Sequence, residues 1–247
     1  MQALAVCVDF RNAHLAPKPI DFTPTRGSMI SFPVKGGKDG QAFYVPSVRQ
    51  SRRVLILFHE WWGLNDYIKK EAESWQSKLG DVDVFAVDLY DGQVASEPDD
   101  ASELMSKLDN KRADAIIQGL LNQLGSKKIA TLGWCMGGSW SFESTLLAAD
   151  NAVGCVMYYG FPEKDLKKIQ TLKADVLYIY GAQDKFIKKT DLDALGKRIN
   201  NVGYQFEFHS YNAVHAFANP SNPKYDSKAA GEANAVALKF LQQHLGL

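Results

Sequence analysis

Gly133-Trp134-Cys135-Met136-Gly137-Gly138 places a cysteine between an apolar run at 129–132 and a helix-like stretch at 139–149. A strand that turns straight into a helix holds its central residue in a strained, exposed turn, and small neighbours must let the two segments pass closely. Gly133, Gly137 and Gly138 meet that requirement. The pattern is that of a nucleophile elbow with cysteine as the attacking residue. A thiol there also stands at a helix N-terminus, whose free N–H groups favour thiolate and can hold a developing oxyanion.

Working outward, short β-branched and aromatic runs recur at 54–58, 82–87, 129–132, 153–158, 176–180 and 204–208, bounded by turn residues. Between them, 67–79, 97–124, 139–149 and 191–200 have helical spacing of apolar residues, and 225–245 closes the chain in the same way. Repeated β-α-β units imply an α/β fold: a mostly parallel central sheet with helices on both faces. Stretches 29–34 and 42–45, separated by the Gly-rich turn 35–40, read as an antiparallel hairpin leading into it. Residues 1–26, with Pro17, Pro19 and Pro24, read as an extended N-terminal arm, and 27–247 as one domain.

Composition excludes several functions. A chain of 247 residues, 46% hydrophobic, can bury one large core. Lys plus Arg and Asp plus Glu number 28 each, so no basic face is implied for nucleic acid or an anionic membrane. No apolar run approaches membrane-spanning length, and the sequence shows no signal-peptide core, so a cytoplasmic location is expected. Cys7, Cys135 and Cys155 are an odd, sparse set without C-x-x-C spacing, which argues against disulfide scaffolding and zinc sites; Cys7 and Cys155 read as structural. A small-molecule partner is expected, with the protein a monomer or homodimer.

Functional residues of open α/β sheets gather at the C-terminal ends of strands. Four such ends carry reactive groups: His59 and Glu60 after the first of these runs, Cys135 at the elbow, Asp184 after Tyr180, and His215 after Phe208. The order Cys, Asp, His matches the nucleophile, acid, histidine order of α/β-hydrolases. His215 would accept the thiol proton and return it to the leaving group, and Asp184 would fix the imidazole tautomer. Duller readings exist: Asp184 as a helix cap, Cys135 as a buried apolar residue, His215 as a packed histidine. His59, His209 and His244 read as structural. Trp62, Tyr90, Trp134 and Phe217 adjoin the reactive ends and are candidates to line an apolar pocket, with 91–100 a candidate rim.

The motifs H-E-W-W-G-L-N at 59–65, D-L-Y-D-G-Q at 88–93, G-W-C-M-G-G at 133–138, Y-G-A-Q-D at 180–184 and H-A-F-A-N-P at 215–220 resemble those of the dienelactone hydrolase family, over about residues 27–245. The resemblance implies an α/β-hydrolase fold and a Cys135, Asp184, His215 triad. It further implies that Glu60 pairs with the cysteine and helps generate the thiolate when substrate arrives, and that the N–H groups of Trp61 and Met136 form the oxyanion hole. The family's dienelactone-cleaving members grip the substrate carboxylate with two arginines; Gly92 and Asn219 stand at those positions here, and Lys185 lacks the planar fork. The expected function is therefore cysteine-dependent hydrolysis of small esters or lactones, with no cofactor or metal in any step. The alternative is a non-catalytic ligand-binding or thiol redox-sensing protein on the same fold; thioesterase or peptidase activity is a third possibility.

Overall fold

Strands and helices alternate from residue 53 to the C-terminus. The computed structural model describes residues 10–11 and 14–247, so Cys7 and most of the first part of the arm lie outside the described residues. The strands are β1 Ser28–Phe32, β2 Gly40–Val45, β3 Arg53–Phe58, β4 Asp83–Asp88, β5 Lys128–Trp134, β6 Ala152–Tyr158, β7 Asp175–Gly181 and β8 Phe206–Tyr211. The helices are α1 Asp66–Leu79, α2 Pro98–Lys107, α3 Asn110–Leu124, α4 Met136–Ala148, α5 Leu166–Ile169, α6 Lys189–Asn201 and α7 Ser227–Leu245.

All eight strands form one sheet in the order β1-β2-β4-β3-β5-β6-β7-β8. The β1–β2 hairpin joins antiparallel to the edge of β4, and β4, β3, β5, β6, β7 and β8 run parallel. The near-continuous apolar character of β3, β4 and β5 follows from burial on both faces. Helices α1 and α7 touch one another on the sheet, and α3 and α4 touch one another, giving the two covering layers. Each fully buried aliphatic or aromatic side chain in this core contributes roughly 1.5–3 kcal/mol of transfer free energy before chain entropy is deducted. Among the described residues, no helix is long and apolar enough to cross a membrane.

Three expected elements differ from those observed. The single helix expected over 97–124 is two helices, because Asp109 adopts an extended backbone and its side chain accepts the Lys111 N–H, capping a new helix. The helix after the elbow begins at Met136 rather than Ser139, directly on the cysteine. The strand expected at 204–208 runs Phe206–Tyr211, since its register with β7 starts at Phe206 opposite Val176 and continues to Tyr211 opposite Gly181. The short α5 carries too few residues to show a period in the sequence.

From His14 to Gly27 the arm has neither helix nor strand. It is tied to α1 by Glu73, whose carboxylate accepts the backbone N–H groups of Thr25, Arg26 and Gly27 and the Thr25 hydroxyl. Burial alone would raise the pKa of Glu73; these hydrogen bonds outweigh it and hold the group below its ordinary value.

Candidate active site

Cys135 sits between β5 and α4 with φ 53° and ψ −117°, a backbone conformation disfavoured for any residue with a Cβ. The surrounding structure enforces it. A Cβ on Gly133 would lie 2.0 Å from the Gly137 carbonyl oxygen, and one on Gly137 would lie 2.2 Å from that of Phe58. The strand, the turn and the helix are therefore in backbone contact, and only glycine fits between them.

The sheet order brings the other reactive residues to the same end. Glu60 follows β3, one neighbour of β5; Asp184 follows β7 and His215 follows β8 on the other side. His215 Nε2 lies 3.2 Å from Cys135 Sγ, and His215 Nδ1 lies 2.6 Å from Asp184 Oδ2. The other Asp184 oxygen accepts the N–H groups of Phe186 and Ile187, so one carboxylate both holds its loop and orients the imidazole. With Nδ1–H donated to a carboxylate, Nε2 presents a lone pair to the thiol.

Glu60 faces the same space. Its Oε1 accepts from the Tyr159 hydroxyl at 3.4 Å, and its Oε2 accepts from Asn219 Nδ2. Burial pushes its carboxyl up to about 7, against opposing pulls from His215, Asn219 and Tyr159. Burial likewise pushes the Cys135 thiol well above its ordinary value, with the nearby Glu60 adding to the effect; the Met136 N–H pulls the other way. The helix-terminal N–H thus favours thiolate, as the sequence reading has it, but in this closed arrangement desolvation is the larger effect and opposes it.

The remaining candidates take distinct places. Trp62 and Trp134 line a cavity with Glu60 and Asn219. Tyr90 donates to the Met136 thioether at 3.2 Å and borders a separate depression that includes Asp91, Asp100 and Arg112. Phe217 packs between Tyr159 and Tyr211 and lines neither. Trp61 is fully buried against Phe10. His59 donates from Nδ1 to the Glu60 carbonyl and accepts the Leu89 N–H, a doubly satisfied structural histidine. Lys185 is exposed, and Asn219 spends its amide on Glu60 instead of carrying a positive charge. Cys155 is buried beside Ser141 in a hydroxyl cluster with Thr131 and Thr145.

Sequence reading missed Phe10 and His14. Both are buried in the arm, with His14 packed at 5.2 Å and Phe10 at 5.9 Å, ring centre to ring centre, from His215. Their only trace in the sequence is a Phe-x-x-x-His spacing within a segment otherwise free of pattern.

A cysteine at a strand-to-helix elbow of a mostly parallel sheet, facing an aspartate-backed histidine, is an arrangement of the α/β-hydrolase class. The profile of the dienelactone hydrolase family matches residues 41–245. A carboxymethylenebutenolidase of Pseudomonas putida is 32% identical over 212 residues, covering 76% of this chain and 84% of its own. The protein named usf of Aquifex pyrophilus is 28% identical, covering 89% and 99%. The dienelactone hydrolase-like promiscuous phosphotriesterase P91 from metagenomic libraries superposes with a TM-score of 0.74 at 20% identity, covering 89% of this chain and 99% of its own. The chain belongs to the dienelactone hydrolase family and is a hydrolase of the ester and lactone class.

Proposed function

We propose that the protein cleaves small carboxylic esters or lactones through an acyl-enzyme on Cys135. The observation that carries this reading is the 3.2 Å approach of His215 Nε2 to a sulfur held at an elbow, with Asp184 behind the imidazole. Sγ attacks the acyl carbon while its proton passes to His215 Nε2. The oxyanion of the tetrahedral intermediate is met by the N–H groups of Met136 and Trp61. The imidazolium protonates the departing alkoxide, leaving a thioester. A water that gives its proton to His215 then attacks the thioester, and the carboxylic acid leaves with the thiol restored. Glu60 acts as a second proton acceptor beside the sulfur, drawing the resting thiol toward thiolate once substrate enters.

Neither residue 92 nor residue 219 is an arginine, and the cavity beside Glu60 has apolar walls at Trp62 and Trp134. Neutral or weakly charged acyl groups are the favoured substrates, in preference to a dicarboxylate lactone. The test is turnover of p-nitrophenyl acetate and a panel of simple lactones, with mass spectrometry of the quenched enzyme. An acyl adduct on Cys135, lost in Cys135→Ala together with turnover, is the expected result, and Glu60→Gln is expected to lower kcat by about 10²–10⁴, the usual contribution of a proton-transfer group. Turnover that survives Cys135→Ala overturns the reading.

A further inference from the structure

The N-terminal arm brings a second histidine onto the nucleophile. Phe10 is fully buried, with its ring 5.0 Å from Phe186 and 5.3 Å from Trp61, and it stands beside His14 over His215. His14, only 2% exposed, has its Nδ1 2.7 Å from the Phe10 carbonyl oxygen. A carbonyl only accepts, so Nδ1 carries the proton and Nε2 carries a lone pair. That Nε2 is buried and, among the described residues, has no hydrogen-bond partner. An orphaned acceptor among apolar rings costs roughly 1–3 kcal/mol, a penalty that a ligand on the nitrogen would remove.

What lies opposite is informative. His14, Cys135 and His215 each place one donor atom so that all three lie within 4.8 Å of one another, and all three residues are buried. Both imidazoles are polarised in the way that metal-binding histidines are: one ring N–H is given to a carbonyl or carboxylate, Phe10 for His14 and Asp184 for His215, leaving the other nitrogen free to bind. We propose that His14, Cys135 and His215 form an inhibitory site for a thiophilic divalent cation of the Zn²⁺ type, closed by the N-terminal arm.

Two imidazole nitrogens and one thiolate are a ligand set suited to Zn²⁺, leaving a fourth position for water. Bond lengths to such an ion put ligand atoms roughly 3.3–3.6 Å apart in a tetrahedron. The Cys135–His215 pair is already at 3.2 Å, so the remaining adjustment is to bring the His14 nitrogen from within 4.8 Å of the other two atoms to that spacing. On binding, the thiol proton is released to solvent and the sulfur and both nitrogens donate electron pairs to the cation, with no change of oxidation state. Asp184, wholly buried behind His215, offsets part of the added charge. The ion occupies the sulfur and the base nitrogen together and pins the arm over them. The binding site itself stands on three atoms; only its inhibitory consequence rests on Cys135 being the nucleophile.

Co²⁺ is the probe, because a thiolate ligand gives it a sulfur-to-metal charge-transfer band and tetrahedral geometry gives intense visible bands, both independent of ester turnover. Full-length protein, reduced and freed of metal with a chelator, is expected to bind one equivalent with both signatures and to release it to Zn²⁺. Cys135→Ala is expected to remove the charge-transfer band. His14→Ala is expected to weaken Co²⁺ binding by about 100-fold, the upper part of the range seen even for outer-shell partners. His14→Gln, which keeps the size and polarity, serves the same comparison if the alanine variant does not fold. Absence of the thiolate band, or His14 variants that bind within twofold of the parent, overturns the proposal. Turnover by metal-free enzyme is measured alongside: turnover without the band sinks the metal site alone, and the band without turnover sinks the hydrolytic reading alone.

Discussion

Asp184 and His215 meet at 2.6 Å in a setting where their side chains are 0% and 3% exposed. Water therefore does not compete for the imidazole, and the carboxylate alone decides which ring nitrogen carries the proton. Asp184→Asn keeps the shape but offers an amide that can donate to Nδ1, forcing the proton to Nε2, where it faces the thiol and blocks transfer. By analogy with the serine-protease triad, in which the same exchange costs about 10⁴ in kcat, a loss of 10³–10⁴ is expected with KM nearly unchanged. Steady-state kinetics on p-nitrophenyl acetate check this, and a variant within threefold of the parent would remove Asp184 from the mechanism.

Phe10 is placed to control access to the sulfur. With Cys135 wholly buried and Phe10 and His14 packed against His215, the arm is expected to restrict access to the sulfur and to lift when substrate enters. If the open form is the one that binds, apparent affinity is reduced by its fractional population. Phe10→Ala removes the main apolar anchor of the closed arm, and its effect on the open state is slight. KM is expected to fall by about tenfold with kcat held within a factor of two, and alkylation of Cys135 by iodoacetamide to accelerate in step. Alkylation at the parental rate would show that the arm does not gate the site.

The part of this architecture that was readable from sequence is the part written in local pattern. Apolar runs and helical spacing gave the alternation, and the glycines around Cys135 gave the elbow, because both are dictated by neighbours within a few residues. Element ends were less legible: the break at Leu108 and Asp109 depends on one side-chain cap that periodicity does not register. The identity of what covers the site was not legible at all. Phe10 and His14 reach His215 across some two hundred residues of chain, and no periodic signal links an arm to a strand end. Asn219 was read as a missing charge; the fold makes it the hydrogen-bond donor of Glu60.

Gly137 tests the elbow as a packing problem. A methyl group there would lie 2.2 Å from the Phe58 oxygen and 2.4 Å from the His59 oxygen, both backbone atoms of β3 and its continuation. Neither can rotate away, so relief requires moving the helix off the sheet. Gly137→Ala is expected to cost at least about 3 kcal/mol, the upper end for overpacking. For a chain of this length that corresponds to a fall in Tm of about 6–12 °C. A calorimetric shift under 2 °C would mean that α4 does not approach β3 as closely as described.

Glu73 couples the arm to pH. Its folded pKa lies below its ordinary value, so the deprotonated form is the one that folding favours, and its contribution is complete above about pH 4.5. As the pH falls through the folded value, the carboxylate protonates and the contribution disappears. Glu73→Gln keeps an oxygen for the three backbone N–H groups, which all meet Oε1, and turns its N–H₂ toward the Thr25 hydroxyl, so it removes the charge and not the bonds; at pH 7 it is expected to lose roughly 1 kcal/mol, the difference between charge-assisted and neutral hydrogen bonds. Denaturant titrations of parent and variant should therefore separate fully at pH 7 and converge as the pH drops below 4.5. A gap that stays constant to pH 3 would mean that the hydrogen bonds from Thr25, Arg26 and Gly27 do not depend on the charge of the carboxylate.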